Sequence, residues 1–406
     1  MSDGDGLTPR LLAALGFLAG IGPLATDMYL ASFTDITREF GAPATAVQLT
    51  LTAFFVGICV GQLFLGPLSD RFGRRIVLLS ALTLFAASGI AMTFSVSIEM
   101  FVILRLVQGL SGAAGIVIAR AIAADLSTGE TAVRALSLIA MVGALGPLIA
   151  PPIGGVVAAV AGWRGVLAVL AAVSVIMLLV TAFAVPESLP PEDRHTGGVA
   201  AAFGAIGRLL RDGAFVFYVV AFATGFAAML GYIAASPFVG QRVLGMTPVT
   251  YALSFGAGGA ALVLANLSNA RFAPRVGARR MLGVGLSLAG AAALALVVLT
   301  LAEMLTIPTF IACAFVLTGG TGFTMSNASA LGLARADAAR GAGAAVLGST
   351  QFLVGAIASP IVGLWGEDTA VPMAVLAAFC VAVATGAATA ALHLDRGSGG
   401  TRRTRS

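Results

Sequence analysis

Lysine is missing from the 406-residue chain: all 23 of its basic residues are arginine. That absence excludes a Schiff-base amine, a lysine general base and a G-x-x-x-x-G-K-[ST] phosphate loop. Charge of either sign is scarce, at 10 % of residues, where a soluble domain carries about 25 %. Histidine occurs only at His195 and His393, and neither belongs to an H-E-x-x-H motif. Cysteine occurs three times, as Cys59, Cys313 and Cys380, each alone inside an apolar run. No disulfide ladder or metal-ligand spacing follows from them, and no metal site is expected.

What fills the chain is apolar. Hydrophobic residues make up 59 % and the mean hydropathy is +1.01, which points to a polytopic membrane protein. The net charge of +5 reflects orientation in the bilayer rather than nucleic-acid binding. Glycine, at 51 residues, suits helix backbones that approach closely in lipid. The apolar runs define twelve spans: 7–33, 44–69, 76–94, 98–126, 132–161, 163–185, 214–239, 248–270, 281–302, 307–334, 341–365 and 370–393. Asp3 and Asp5 precede a lone Arg10, so the first run is expected to be retained rather than cleaved as a signal. The organisation expected is an all-α integral membrane fold. It comprises a six-helix bundle over 1–185, a linker over 186–213, a second bundle over 214–393 and a disordered tail over 394–406.

Arginine placement sets the topology. Eighteen arginines fall on one side of the spans and only Arg38, Arg164 and Arg242 on the other, with Arg105 and Arg120 inside the fourth span. The arginine-rich side is the cytoplasmic one, with both termini and the linker on it. A repeat is visible at an offset of 204 residues. Gly61-Gln62-Leu63 and Gly66 align with Ala265-Asn266-Leu267 and Ala270, and Arg71, Gly73 and Arg75 with Arg275, Gly277 and Arg279. Two like bundles related by an axis along the membrane normal suit alternating access.

Several segments carry a family resemblance. Between the second and third spans the chain reads Gly66-Pro67-Leu68-Ser69-Asp70-Arg71-Phe72-Gly73-Arg74-Arg75, which resembles motif A of the major facilitator superfamily (MFS). The resemblance implies a cytoplasmic latch between the halves in the outward-open state, with Asp125 at the end of the fourth span joining its charges. The second copy has Pro274 where Asp70 aligns, so one latch is implied rather than two. Leu104-Arg105-Leu106-Val107-Gln108-Gly109 resembles motif B. An arginine within a span costs about 2.5–3.5 kcal/mol on the insertion scale, so a paired, functional Arg105 is expected.

Gly22-Pro23-Leu24-Ala25-Thr26-Asp27-Met28-Tyr29-Leu30 resembles motif D of the drug:proton antiporters. Asp27 is the only acid deep in a span and lies at a depth similar to that of Arg105, so the two can pair. Burial and a neighbouring guanidinium act on such a carboxyl in opposite senses, which suits proton exchange. In the fifth span, Gly143, Gly146-Pro147 and Ala150-Pro151-Pro152-Ile153-Gly154-Gly155 resemble the antiporters' motif C, with Ala150-Pro151 where Gly-Pro is usual. Its small residues are expected to pack on the other half and its prolines to bend the helix. Gly231-Tyr232-Ile233-Ala234-Ala235-Ser236-Pro237-Phe238 and Val47-Gln48-Leu49-Thr50-Leu51 are similar to the bicyclomycin and chloramphenicol/florfenicol resistance (Bcr/CflA) group.

The resemblance implies a proton-coupled multidrug efflux antiporter in a bacterial cytoplasmic membrane. It would use no cofactor beyond the proton gradient and no obligate protein partner, and would take amphipathic drugs and protons as its ligands. Asp27 and Arg105 form the expected proton-coupling pair. Gln48, Gln108, Tyr232 and Gln351 are candidate polar groups of the drug cavity, with Tyr29, Phe54, Phe226 and Phe238 as its aromatic walls. Export of an endogenous metabolite or natural product is the alternative. An intramembrane enzyme is the rival from another class: Gly109-Leu110-Ser111-Gly112 resembles the rhomboid serine motif. That chemistry needs a histidine in the membrane, whereas His195 lies in the linker and His393 is the last residue of the last span, at the tail.

Overall fold

A computed structural model describes residues 7–127, 129–194, 198–336, 339–363 and 368–402, so His195 and Trp365 lie outside the described residues. Every regular element among the described residues is a helix. Eleven helices among the described residues are long and apolar enough to cross a membrane. One of them belongs to a helical stretch of 56 residues, Gly129–Ala184. At 1.5 Å per residue it would be about 84 Å long, nearly three times the ~30 Å hydrocarbon layer. Gly162 breaks it with φ 66° and ψ −176°, a conformation open to glycine at little cost. The stretch is therefore two crossings, which makes twelve among the described residues.

The first six crossings are α1 (Pro9–Phe40), α2 (Ala44–Phe72), α3 (Arg74–Thr93), α4 (Ile98–Asp125), α5 (129–161) and α6 (163–184). A helix inside the expected linker is α7 (Gly198–Leu209). There follow α8 (Gly213–Phe238, continued by a π-turn Val239–Val243), α9 (Pro248–Val276), α10 (Ala278–Leu301), α11 (Ile307–Arg335), α12 (Arg340–Ile361) and α13 (Val371–Arg402). The ends obey local rules. Thr8 caps α1 by accepting the Leu11 N–H at 3.2 Å with Pro9 in the first position, and Ser97 caps α4. The 204-residue repeat extends to the backbone: α2 and α9 span 44–72 and 248–276. The positive-φ glycines Gly41 and Gly73 recur at the same offset as Gly245 and Gly277.

Two compact units emerge, one of Met1–Gly198 with Gly245–Gly256, the other of Val199–Leu244 with Ala257–Ser406. In the first, α2 and α4 lie backbone to backbone, because a Cβ on Gly109 would sit 2.0 Å from the Phe54 carbonyl oxygen. In the second, Tyr218 of α8 packs with Leu282 and Leu286 of α10, Ala328 of α11 and Ala384, Ala388 and Ala391 of α13. Large apolar side chains such as Val160, Phe183 and Phe379 point outward, as a lipid-facing surface requires.

Two expectations change. The segment after His393 is not irregular as far as Arg402: α13 continues through it. Asp395 holds it, accepting from the Tyr218 hydroxyl at 2.7 Å and from Arg279 at 3.0 Å. Residues 403–406 lie outside the described residues. The linker also holds more structure than its prolines and charges suggested, since Ile206 and Leu209 of α7 pack against a core of Phe215, Val219, Val346 and Leu347.

Candidate functional site

Several candidate residues of the first unit gather where α1 breaks. Its regular helix stops at Asp27 and resumes after a 3-10 turn at Leu30–Ser32. Such a break leaves carbonyls without their i+4 partners. Arg105 of α4 fills one of them: its Nη1 donates to the Ala25 carbonyl at 2.9 Å and to Gln108 Oε1 at 2.8 Å. The Arg105 side chain is fully buried. Its Cζ lies 3.8 Å from the Tyr29 ring centroid, 5.3 Å from that of Phe54 and 5.8 Å from that of Phe101. Tyr29 is fixed in turn by a 2.9 Å hydrogen bond between its hydroxyl and Thr50 Oγ1.

Asp27 is buried in the same break, but it does not pair with Arg105. Its Oδ1 accepts from the neighbouring Thr26 hydroxyl at 2.9 Å. The guanidinium is engaged by the backbone carbonyl that the break exposes and by Gln108, while its Nε and Nη2 make no hydrogen bond. The expected ion pair is thus replaced by a cation held on aromatic faces. Of the residues expected around a cavity, Tyr29, Phe54 and Gln108 meet at Arg105, and Gln48 is buried in α2. In the second unit Tyr232 packs on Phe310 and Phe226 edge-on to Phe352, Phe238 is buried and Gln351 is half-buried. Thr26 and Thr50 stand in the motif D-like and Val47–Leu51 segments without a role of their own, and Phe101 is in none of the motifs. Phe101 lies one helical turn before Arg105 on the same face, a signal that could have found it.

The loop at Gly66–Arg75 is built around Arg74. The Arg74 side chain is buried, with Nη1 donating to Ser69 Oγ at 2.7 Å and to Asp70 Oδ1, and Nε donating to Asp125 Oδ2 at 3.0 Å. Asp70 and Asp125 therefore share one guanidinium, and the Ser69 hydroxyl closes back on the Gly66 carbonyl at 2.7 Å. Gly73 turns the chain with φ +101°. Arg71 is exposed over the Phe72 ring, and Arg75 reaches the Ala182 carbonyl at 2.7 Å. A residue not anticipated, Glu187, caps α3: its carboxylate accepts from the backbone N–H of Arg74 at 2.9 Å and of Arg75 at 3.2 Å. Ser188 beside it donates to Asp125 at 2.9 Å.

In α5 the small residues serve the first unit itself. A Cβ on Gly146 would lie 2.3 Å from Pro23 Cβ, and one on Gly154 only 1.9 Å from the Met28 carbonyl oxygen. Gly143 has ordinary room beside the Ala19 carbonyl. Gly155 turns toward the start of α9, where a Cβ would come within 2.4 Å of Ala252 Cβ, and Pro152 lies against Gly256 of the same helix; this part of α9 clusters with the first unit. The small residues of the motif thus face two ways: Gly146 and Gly154 close on the broken α1, while Gly155 meets α9, a helix of the expected second half, with Pro147 and Pro151 in the same helix as these glycines.

A family model described as Major Facilitator Superfamily matches residues 15–363. The chain belongs to that superfamily. This MFS chain is 33 % identical, over 88 % of its length and 89 % of the relative's, to the uncharacterized MFS-type transporter YdgK of Bacillus subtilis. It is 30 % identical, over 92 % and 93 %, to a bicyclomycin resistance protein homolog of Haemophilus influenzae. A solved structure of a bacterial homolog of the lysosomal transporter Spinster, inward-facing and unoccupied, shares the fold with a TM-score of 0.72 at 15 % identity, over 95 % and 96 % of the two chains. MFS membership makes this a multi-pass membrane transporter, and the family gives no support to the enzyme reading.

Proposed function

We propose that this MFS protein is a proton-coupled exporter of amphipathic toxic compounds, resident in a bacterial cytoplasmic membrane with both termini in the cytoplasm. The observation that carries the reading is Asp27, the one acid buried in the membrane-spanning part of α1, one residue before the helix break that Arg105 holds. A carboxyl in that place can load and release a proton if the break rearranges as the protein alternates between inward- and outward-facing states. The relative named for bicyclomycin resistance supports export of drugs. The motif C resemblance of α5 supports export over uptake, and α5 contacts α1 at Pro23 and Met28, so movement of one reaches Asp27.

In this cycle drug enters from the cytoplasm, the Asp27 proton leaves to the cytoplasm, and an external proton reloads the carboxyl after drug release. The halves 1–185 and 214–393 alternate across the 186–213 linker, and the Asp70–Arg74–Asp125 cluster latches the cytoplasmic side. No cofactor is required. The aromatic side chains Tyr29, Phe54, Phe226 and Phe238, with the polar Gln48, Gln108, Tyr232 and Gln351, contribute to drug binding. One membrane acid couples one proton per cycle. A neutral drug is then driven by both the pH gradient and the membrane potential, whereas a monovalent cation exchanges without net charge movement.

The test uses inverted membrane vesicles energised by respiration, with phenicols, bicyclomycin-like compounds and lipophilic cations. Drug should dissipate the pH gradient in the wild type and fail to do so in Asp27→Asn. Equal dissipation in both would refute Asp27 as the carrier. No dissipation with any drug, despite folded protein, would refute drug export and favour a metabolite substrate.

A further inference from the structure

The second unit holds a basic cavity that the transport cycle does not use. It measures about 530 Å³ and opens where α7 meets the start of α8, lined by Arg208, Arg211, Asp212, Arg335 and Leu394. The acids described at this place, Asp212 and Asp395, are already engaged. Asp212 Oδ2 accepts from Arg335 Nε and Nη2 at 3.0 and 2.8 Å, and Oδ1 accepts from the backbone N–H groups of Ala214 and Phe215 at 3.0 and 3.2 Å. Asp395 is shared by Tyr218, Arg279 and, at 3.7 Å, Arg335. Among the described residues Arg208 and Arg211 are exposed and take part in no ion pair, so the described lining of the cavity carries two uncompensated positive charges. Leu394 lines it and Leu210 adjoins Arg211 in the chain, each about half exposed.

The geometry points to a binding site for the phosphodiester headgroup of an anionic glycerophospholipid, with Arg208 and Arg211 on the phosphate and Leu210 and Leu394 against the glycerol-proximal chains. Three features favour a lipid over free phosphate. The cavity exceeds the size of one phosphate ion. It lies at the ends of two membrane-crossing helices, Gly213–Val243 and Val371–Asp395. It also lies on the arginine-rich side, where anionic lipids meet basic side chains. The helix start contributes little, because Asp212 already takes its first N–H groups. The site would tether α7, and with it the segment joining the two halves, to the membrane surface.

Full-length protein in detergent is titrated with phosphatidylglycerol or phosphatidylcholine and bound lipid is counted by native mass spectrometry. Phosphatidylglycerol should be retained at least about tenfold more tightly, since each arginine near an anionic lipid contributes about fivefold. Arg208→Gln/Arg211→Gln should lose that preference, and Arg211→Lys should keep most of it. Arg271→Gln/Arg280→Gln removes two exposed arginines outside the cavity and should change nothing. Equal binding of the two lipids, an equal loss in the Arg271/Arg280 variant, or displacement of bound lipid by millimolar inorganic phosphate would each overturn the proposal, the last by identifying a free-phosphate site.

Discussion

Alanine substitutions along α5 should separate by the space each glycine has. Replacing a helical glycine by alanine ordinarily stabilises by about 0.5–1 kcal/mol, because the unfolded chain loses freedom. Gly143 has that benefit without penalty, since its added Cβ meets the Ala19 carbonyl oxygen at 3.6 Å. At Gly154 the added atom would lie 1.9 Å from the Met28 carbonyl oxygen, where contacts under 3.0 Å are essentially never seen. The helices must part there by about 1 Å, in a close-packed interior where overpacking costs about 1–3 kcal/mol or more. Gly146, at 2.3 Å from Pro23 Cβ, is nearly as confined. The net change should be about 0.5–1 kcal/mol of stabilisation for Gly143→Ala and about 1–3 kcal/mol of destabilisation for Gly146→Ala and Gly154→Ala. Because Cys59, Cys313 and Cys380 are all buried, a thiol-reactive dye reports unfolding on heating. Gly154→Ala should also impair transport, since Met28 adjoins Asp27. Matching melting curves for Gly143→Ala and Gly154→Ala would refute the packing argument.

Arg74→Gln should lower stability by about 1–3 kcal/mol, as it leaves Asp125 and Ser69 without their donor, with the share from half-exposed Asp70 reduced by solvent. Arg71→Gln in the same loop should stay within about 0.5 kcal/mol, because Arg71 is exposed; the same dye assay distinguishes the two. Glu187→Ala should cost about 1–2 kcal/mol by uncapping α3. Faster hydrogen exchange at the Arg74 and Arg75 amides, with the rest of α3 unchanged, is the expected signature. Unaltered exchange at those two amides would rule out the cap.

Much of this protein is legible in its sequence, because a bilayer imposes simple rules. A segment in lipid must satisfy its own backbone hydrogen bonds, so each long apolar run becomes a helix. Arginine asymmetry then gives an expected orientation, the 204-residue repeat recurs in the matching bounds of α2 and α9, and Gly41, Gly73, Gly245 and Gly277 stand at turns with positive φ. The expected bounds 132–161 and 163–185 leave Gly162 between the fifth and sixth spans, where the helix breaks. Motif spacing singled out Asp27, Arg105, Asp70 and Asp125.

Which of these residues meet was decided only by tertiary structure. Sequence depth allowed Asp27 and Arg105 to pair, but the break in α1 offers Arg105 a backbone carbonyl, Gln108 and the Tyr29 ring, and leaves Asp27 with Thr26. Nothing in the one-dimensional pattern says that a carboxylate 113 residues away, Glu187, caps the helix beginning at Arg74. Nor does it say that Asp395 would carry α13 beyond its apolar run, as it does by joining Tyr218 and Arg279. Helix formation is governed by neighbours along the chain. The partners of a buried charge are set by whichever polar group packing brings within about 3 Å, and that is a property of the folded chain.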